Sequence, residues 1–299
     1  MNVKKFKTIY LAILIPITVV VCVCSVWYRA FLLGREIGLS IREFTNGNII
    51  NTVVKEIDTG DFKISVGNVS LGDVVEQEYT DIEFSNIDID LAFANVEIKQ
   101  GDNYKVVVEY PEDYMPDVKV ENDTLKIKHE SKIFKVNFNG GTNNSCDVTI
   151  YVPESTELGQ VKIETDLGNV EVKTALICDE LNITADLGNV EMKNVEAQDL
   201  DIQADLGNVE IKDSSLGTVH IEADLGDVSL KDCKFDTADI TNDLGAIEVD
   251  GEFNNLTAEC SLGALDVKCD NMGTAKMNLS TDLGAVSVNG TNKGSSYKQ

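Results

Sequence analysis

Arginine disappears from this sequence after Arg42. Residues 44–299 carry 19 lysines against 49 aspartates and glutamates. Gripping nucleic acid requires neutralised phosphates, usually through guanidinium forks, and this body offers the opposite field. Nucleic acid is excluded as a partner. An acidic surface attracts metal cations or basic partners, or simply keeps a protein in solution, and solubility is the simpler reading. Histidine is nearly as scarce: His129 and His220 are the two in the chain, and neither has neighbours at zinc-ligand spacing. There is no nucleophile elbow, no phosphate-binding loop and no dinucleotide fingerprint. Of the seven cysteines, Cys22 and Cys24 sit in the apolar N-terminal stretch. Cys146, Cys178, Cys233, Cys260 and Cys269 are scattered without a CxxC. An odd number cannot be fully paired within one chain, and Cys260 reads as a small buried apolar residue. These gaps predict a non-catalytic protein with no cofactor.

What the sequence does have begins with an anchor. Residues 9–27 run without a charge, close to the roughly 20 apolar residues a helix needs to cross a bilayer. Pro16 is tolerable there, and Trp27 and Tyr28 fall where an interfacial aromatic belt lies. The exit Ser25-Val26-Trp27-Tyr28 is poor for signal-peptide cleavage, and Val21 before Cys22 argues against a lipoprotein-type cysteine. The expected organisation is a cytoplasmic tail over 1–8, a transmembrane helix over 9–28 and a juxtamembrane segment and linker over 29–80. A β-domain follows over 81–290, then a polar tail over 291–299. Lys4, Lys5 and Lys7 nearly balance Arg29, Arg35 and Arg42 under the positive-inside rule. The short N-terminal flank with its lysine cluster places the N-terminus inside. The expectation is a single-pass protein of the cell membrane with an extracytoplasmic body.

Internal repetition is the loudest signal. Asp-Leu-Gly recurs at 166–168, 186–188, 205–207, 224–226, 243–245 and 282–284, with Ser261-Leu262-Gly263 as an altered copy. Successive glycines lie 20, 19, 19, 19, 18 and 21 residues apart. Within a unit, Leu181, Ile183, Ala185 and Leu187 alternate with polar residues, the period of a strand. The phase then slips to Val190 and Met192, to Val195 and Ala197, and to Leu200. Each slip is a corner. Aligned units give an apolar column of Ile163, Ile183, Ile202, Ile221, Ile240, Ala258 and Leu279. A second column, of Leu167, Leu187, Leu206, Leu225, Leu244, Leu262 and Leu283, is expected to join it in the core. No unit could bury its apolar face alone, so the units must stack. The predicted class is all-β, a parallel β-solenoid (β-helix-like) of about 19-residue rungs, seven of which would span ~34 Å. Gly168, Gly188, Gly207, Gly226, Gly245, Gly263 and Gly284 are expected to serve a corner with positive φ. Ile87, Ile89, Leu91, Phe93, Val96 and Ile98 repeat the same phase slip and predict an earlier, degenerate rung. Residues 99–160 would then be an inserted β-hairpin region or cap, with strands near 104–110, 118–128 and 135–152.

The repeated polar residues invite a chemical reading. Asp166, Asp186, Asp205, Asp224, Asp243 and Asp282, with Ser261, are expected to face outward. Each carboxylate would cap its own corner through backbone N–H groups; the competing reading is a carboxylate ladder for Ca²⁺, with these six as ligand candidates. Capping is preferred, because the glycine-rich nonapeptide of calcium-binding β-rolls is missing and Ser261 substitutes cleanly. The next column, Asn169, Asn189, Asn208 and Asp227, can hydrogen-bond along the stack and gives way to Ala246, Ala264 and Ala285. Glu171, Glu191, Glu210 and Glu248 beside Lys173, Lys193, Lys212 and Lys231 predict a salt-bridged face.

The tandem Asp-Leu-Gly-Asn-Val-Glu-x-Lys units at 166–173, 186–193 and 205–212 resemble the "putative adhesin" family of bacterial β-strand-repeat proteins of unknown function. Ile150-Tyr151-Val152-Pro153 matches that family's Ile-x-Val-Pro strand end. The resemblance covers about residues 50–290. It implies a β-solenoid exposed at the cell envelope, often behind one transmembrane helix, in Gram-positive-type bacteria, and it brings no catalytic or binding residues. The expected function is a membrane-anchored, adhesin-like scaffold or binding module of the bacterial cell envelope. Its expected contacts are the membrane, through one helix, and an envelope protein or a glycan. Two alternatives stand beside it: a cell-envelope sensor or regulator acting with a partner membrane protein, and a polysaccharide-active β-helix enzyme.

Overall fold

A computed structural model describes residues 55–58, 63–66, 74–129, 133–134 and 146–299. The expected transmembrane helix and residues 135–145 of the run expected near 135–152 lie outside these residues. Among the described residues there is no α-helix, and no helix is long and apolar enough to cross a membrane. Two compact units separate. In the smaller, Lys55–Asp58 pairs antiparallel with Lys63–Val66, which pairs parallel with Ile133–Phe134. The larger unit holds the repeats.

Alternation in the sequence becomes parallel stacking in the larger unit. Ile177–Leu187 lies between Glu157–Leu167 and Glu196–Leu206 in parallel register, with Ile163, Ile183 and Ile202 aligned. After each glycine corner a short strand continues the rung, so that Val170–Val172, Val190–Lys193 and Val209–Lys212 also stack in parallel. Burial repeats along the inner rungs in three inward runs, as at Leu181-Ile183-Ala185, Val190-Met192 and Val195-Ala197. The degenerate rung is present: Asn86–Leu91 pairs with Glu157–Leu167, and Asn95–Gly101 with Val170–Val172. Each inward Ile or Leu contributes roughly 1.5–3 kcal/mol by leaving water, and each touches its counterparts above and below. Phe235 and Phe253 stack within the core, ring centroids 5.0 Å apart.

The corner after the short strand is made differently from the glycine corner. Asn194, Asp213 and Asp232 hold φ of 58°, 51° and 52° there. Asn and Asp tolerate the left-handed region better than other side chains, which explains their choice.

Both ends of the stack are covered. At the first rung, Thr124–Lys128 adds parallel to Asn86–Leu91 and closes a hairpin with Asp117–Glu121 through Asn122 and Asp123. On the other face Asp147–Pro153 joins Asn95–Gly101, followed by Lys105–Pro111 and then Val74–Tyr79. The unit therefore begins before residue 81, where the sequence suggested linker. At the last rung the expected polar tail is a cap. Thr291–Gly294 folds antiparallel onto Val286–Val288, and Ser296–Lys298 onto Lys276–Leu283. Asn289 and Gly290, with φ of 46° and 73°, form the two-residue turn that makes this possible.

Cysteines behave as core. All five described thiols are buried, and burial pushes Cys146 and Cys178 up to about 12 and Cys233 up to about 11. They stay protonated, and so poorly nucleophilic, at neutral pH.

One core column mixes apolar and polar residues. Thr165, Ala185, Ala204, Ala223, Asn242, Cys260 and Thr281 share it. Thr281 Oγ1 donates to the Gly263 carbonyl at 3.1 Å, and Asn242 Nδ2 to that of Gly226 at 2.9 Å. The Asn242 Oδ1, however, is buried without a partner. Asn242→Thr keeps a donor and deletes the orphaned acceptor. The substitution is expected to raise stability by about 1 kcal/mol, read as a higher urea midpoint with an unchanged slope.

Candidate interaction surface

The Asp-Leu-Gly-Asn corner gathers every residue the sequence marked as a candidate. It begins one residue earlier than the alternation suggests. Ala185 is buried, Asp186 and Leu187 are both exposed, and Val190 is buried again. The leucine column is thus on the surface and not in the core. Leu187, Leu206, Leu225, Leu244, Leu262 and Leu283 are 43, 43, 42, 47, 39 and 55 % exposed. Their backbones remain in register, Leu167 on Leu187 and so on to Leu262 on Leu283. At the rise of about 4.8 Å per rung, the ladder is roughly 29 Å long.

The glycines explain why the chain turns there. A Cβ on Gly188, Gly207, Gly226, Gly245, Gly263 or Gly284 would overlap the carbonyl oxygen of the glycine one rung earlier. Close approach of backbone to backbone is the shared requirement. Positive φ in the region that disfavours side chains holds at Gly168, Gly207, Gly226 and Gly245 but not at Gly188, Gly263 or Gly284, so the expectation is met at some corners only. With the corner's interior filled by glycine backbone, the leucine has no room inside.

Corner capping falls to the residue after the glycine. Asn95 Oδ1 accepts the Asn169 N–H at 3.0 Å, Asn169 that of Asn189 at 2.9 Å, and Asn189 that of Asn208 at 2.9 Å. Asn208 then accepts from Asp227 at 2.9 Å, and Asp227 from Ala246 at 2.7 Å. This corrects the expected division of labour. Among the described residues, Asp205, Asp224 and Asp282 accept no backbone hydrogen bond, while Asp243 takes the Ser261 hydroxyl at 3.3 Å. No three His, Cys, Asp or Glu side chains among the described residues gather closely enough to hold a metal ion. The Asp ladder presents single carboxylates one rung apart, each beside an exposed leucine.

Lysines compensate much of the neighbouring face. Lys173 bridges Glu171 and Glu97, Lys212 lies 2.7 Å from Glu210, and Lys231 lies 3.5 Å from Glu248. Glu97 shows the effect. Burial pushes its carboxyl upward, but hydrogen bonds from Lys99 and Lys173 outweigh this and hold it below its usual range. By contrast, Asp205, Asp224, Asp243 and Asp282 take part in no ion pair among the described residues. A shallow hollow of about 220 Å³, lined by Asn189, Glu191, Asn208, Glu210 and Asp227 among others, runs beside the ladder. At Asp205, Asp224, Asp243 and Asp282 the corner therefore combines an apolar strip with a negative border that no lysine pairs among the described residues.

Comparison with known proteins places this architecture. The family model described as Toastrack DUF4097 matches residues 84–299. A solved structure described as a putative adhesin from Bacteroides fragilis NCTC 9343 superposes with a TM-score of 0.53 at 18 % identity, covering 72 % of this chain and 96 % of that one. A putative adhesin from Parabacteroides merdae ATCC 43184 gives 0.45 at 16 % identity, over 75 % and 98 % of the two chains. A putative cell adhesion protein from Clostridium sporogenes ATCC 15579 gives 0.36 at 14 %, over 66 % and 100 %. No curated protein matches the chain. The first of these superpositions bears on the fold, and it agrees with the stacked parallel rungs.

Proposed function

The chain belongs to the Toastrack DUF4097 family, whose model spans its repeats, and from that premise we propose that it is a non-catalytic, adhesin-like scaffold displayed at the bacterial cell envelope. The observation that carries the reading is the exposed leucine ladder. Single surface leucines are ordinary, but six in register form a contiguous apolar strip of the kind that marks contact sites on soluble monomers. Repetition supports contact over chemistry. A catalyst needs one unique constellation, whereas this corner presents the same Asp and Leu rung after rung. The uncharged run over residues 9–27 supplies the proposed membrane anchor, with the body outside. An envelope protein or a glycan is the proposed class of partner.

The test is made on intact cells. External protease should remove the body while leaving a cytoplasmic marker whole, and cells lacking the chain should lose attachment that the wild-type gene restores. A body protected from protease until the cells are broken would overturn the display reading. Crosslinking in the native membrane separates it from the sensor alternative, in which a partner membrane protein carries the signal.

A further inference from the structure

We propose that the leucine ladder is the docking strip for a basic, amphipathic polypeptide segment of another protein, laid along the stack across successive rungs. The inference rests on the binding-scaffold reading and adds the chemistry of the occupant. Three observations select it. The strip is apolar and continuous: Leu187, Leu206, Leu225, Leu244, Leu262 and Leu283 are exposed in register. Its border is negative and uncompensated, since Asp205, Asp224, Asp243 and Asp282 have no ion-pair partner among the described residues although lysines neutralise much of the Glu face next to it. The hollow lined by Asn189, Glu191, Asn208, Glu210 and Asp227 among others adds the Glu191 carboxylate, which takes part in no ion pair among the described residues.

Charge then decides between occupants. A second copy of this chain, set ladder against ladder, would oppose two columns of carboxylates, and like charges at close range cost affinity. An anionic lipid surface meets the same repulsion. A segment with apolar side chains on one edge and lysine or arginine beside them satisfies both features, the leucines by burial and the aspartates by ion pairing in a partly desolvated border. The rung spacing sets a looser match: same-face side chains of an extended segment recur every ~6.7 Å against rungs ~4.8 Å apart, so about two of its apolar side chains meet every three leucines.

The test uses the full chain in zwitterionic nanodiscs and three synthetic 12-residue probes, alternating Leu/Lys, Ser/Lys and Leu/Glu. Two variants accompany the wild type: Leu206→Ser with Leu225→Ser and Leu244→Ser, and Asp205→Asn with Asp224→Asn and Asp243→Asn. All six positions are exposed, so both variants should keep the wild-type circular dichroism and melt. Binding of each probe is read by fluorescence anisotropy, and empty zwitterionic discs subtract whatever the peptide does to lipid. The expected result is that Leu/Lys binds wild type, that each variant weakens it about tenfold, and that neither other probe competes. Equal binding of Leu/Lys and Ser/Lys, or wild-type affinity in the leucine variant, would overturn the proposal. So would a wild-type dimer that the leucine variant dissociates, which would name a second copy as the occupant. Because the assay is independent of cellular location, its failure leaves envelope display standing, and failure of the protease test leaves this binding standing.

Discussion

Gly226→Ala is expected to cost the fold about 3 kcal/mol and to lower its melting temperature by several degrees. Two penalties coincide at this position. Its φ is +149°, a conformation that side chains rarely adopt, and its added Cβ would overlap the Gly207 carbonyl oxygen. The obstacle is backbone, so no rotamer change relieves it. The rung must move, and movement stretches bonds that set the stack: Gly207 N–H to the Leu225 carbonyl at 3.0 Å, Val209 N–H to the Asp227 carbonyl at 2.9 Å, and Asp227 N–H to Asn208 Oδ1 at 2.9 Å. Gly273→Ala is the control. Nothing lies within 4 Å of a Cβ there and its φ is not in the disfavoured region, so its effect should fall within about 0.5 kcal/mol. Since stacked repeats couple mainly to their neighbours, hydrogen exchange should accelerate first in the rungs next to Gly226. A Gly226→Ala protein that melts with the Gly273→Ala control would show that the corner yields more readily than close backbone contact allows.

Much of this fold was legible because stacking writes itself into sequence as repetition. The Ile163 to Leu279 column, the phase slips and even the degenerate rung at 86–101 are all where alternation placed them. Alternation failed at Leu187 for a definite reason. A period of two continues Leu181, Ile183 and Ala185 straight into Leu187, and only the backbone turn, one residue before the glycine, reverses its direction. A signal was nonetheless present. The buried columns interchange Ile, Ala and Leu, or Ala, Asn, Cys and Thr, because neighbours can repack around a changed volume. The ladder is leucine in all seven rungs. Uniformity where the core itself varies points to a constraint other than filling space. The Asn column was read correctly as hydrogen bonding along the stack, whereas Asp205, Asp224 and Asp282 were given a capping role that Asn189 and Asn208 perform. Both residue types cap turns, and composition alone does not say which of two neighbouring positions the backbone N–H groups face.

Removing residues 291–299 should make the stack self-associate more strongly. Asn289 and Gly290 form a two-residue turn between strands that pair, and fold residues 291–299 back over the last rung. The Ser295 carbonyl accepts the Thr281 N–H at 2.9 Å, and Gln299 N–H reaches the Met277 carbonyl at 2.9 Å. Asn289 itself spans the Cys269 peptide, accepting its N–H at 2.8 Å and donating to its carbonyl at 3.2 Å. Apart from Tyr297, which is partly buried against the core, the cap strands are exposed and polar. Their burial therefore adds little. Their effect is to occupy edge N–H and C=O groups that would otherwise template another chain. The truncated chain should lose only about 1–2 kcal/mol of stability yet form oligomers whose mass rises with concentration, read by light scattering after size exclusion. A full-length protein carrying Gly290→Val provides the comparison, since its φ of 73° strains any β-branched side chain and loosens the hairpin without shortening the chain. Association graded from wild type through Gly290→Val to the truncation would assign the cap to edge protection, whereas a truncated chain that stays monomeric while its melt collapses would assign it to core stability instead.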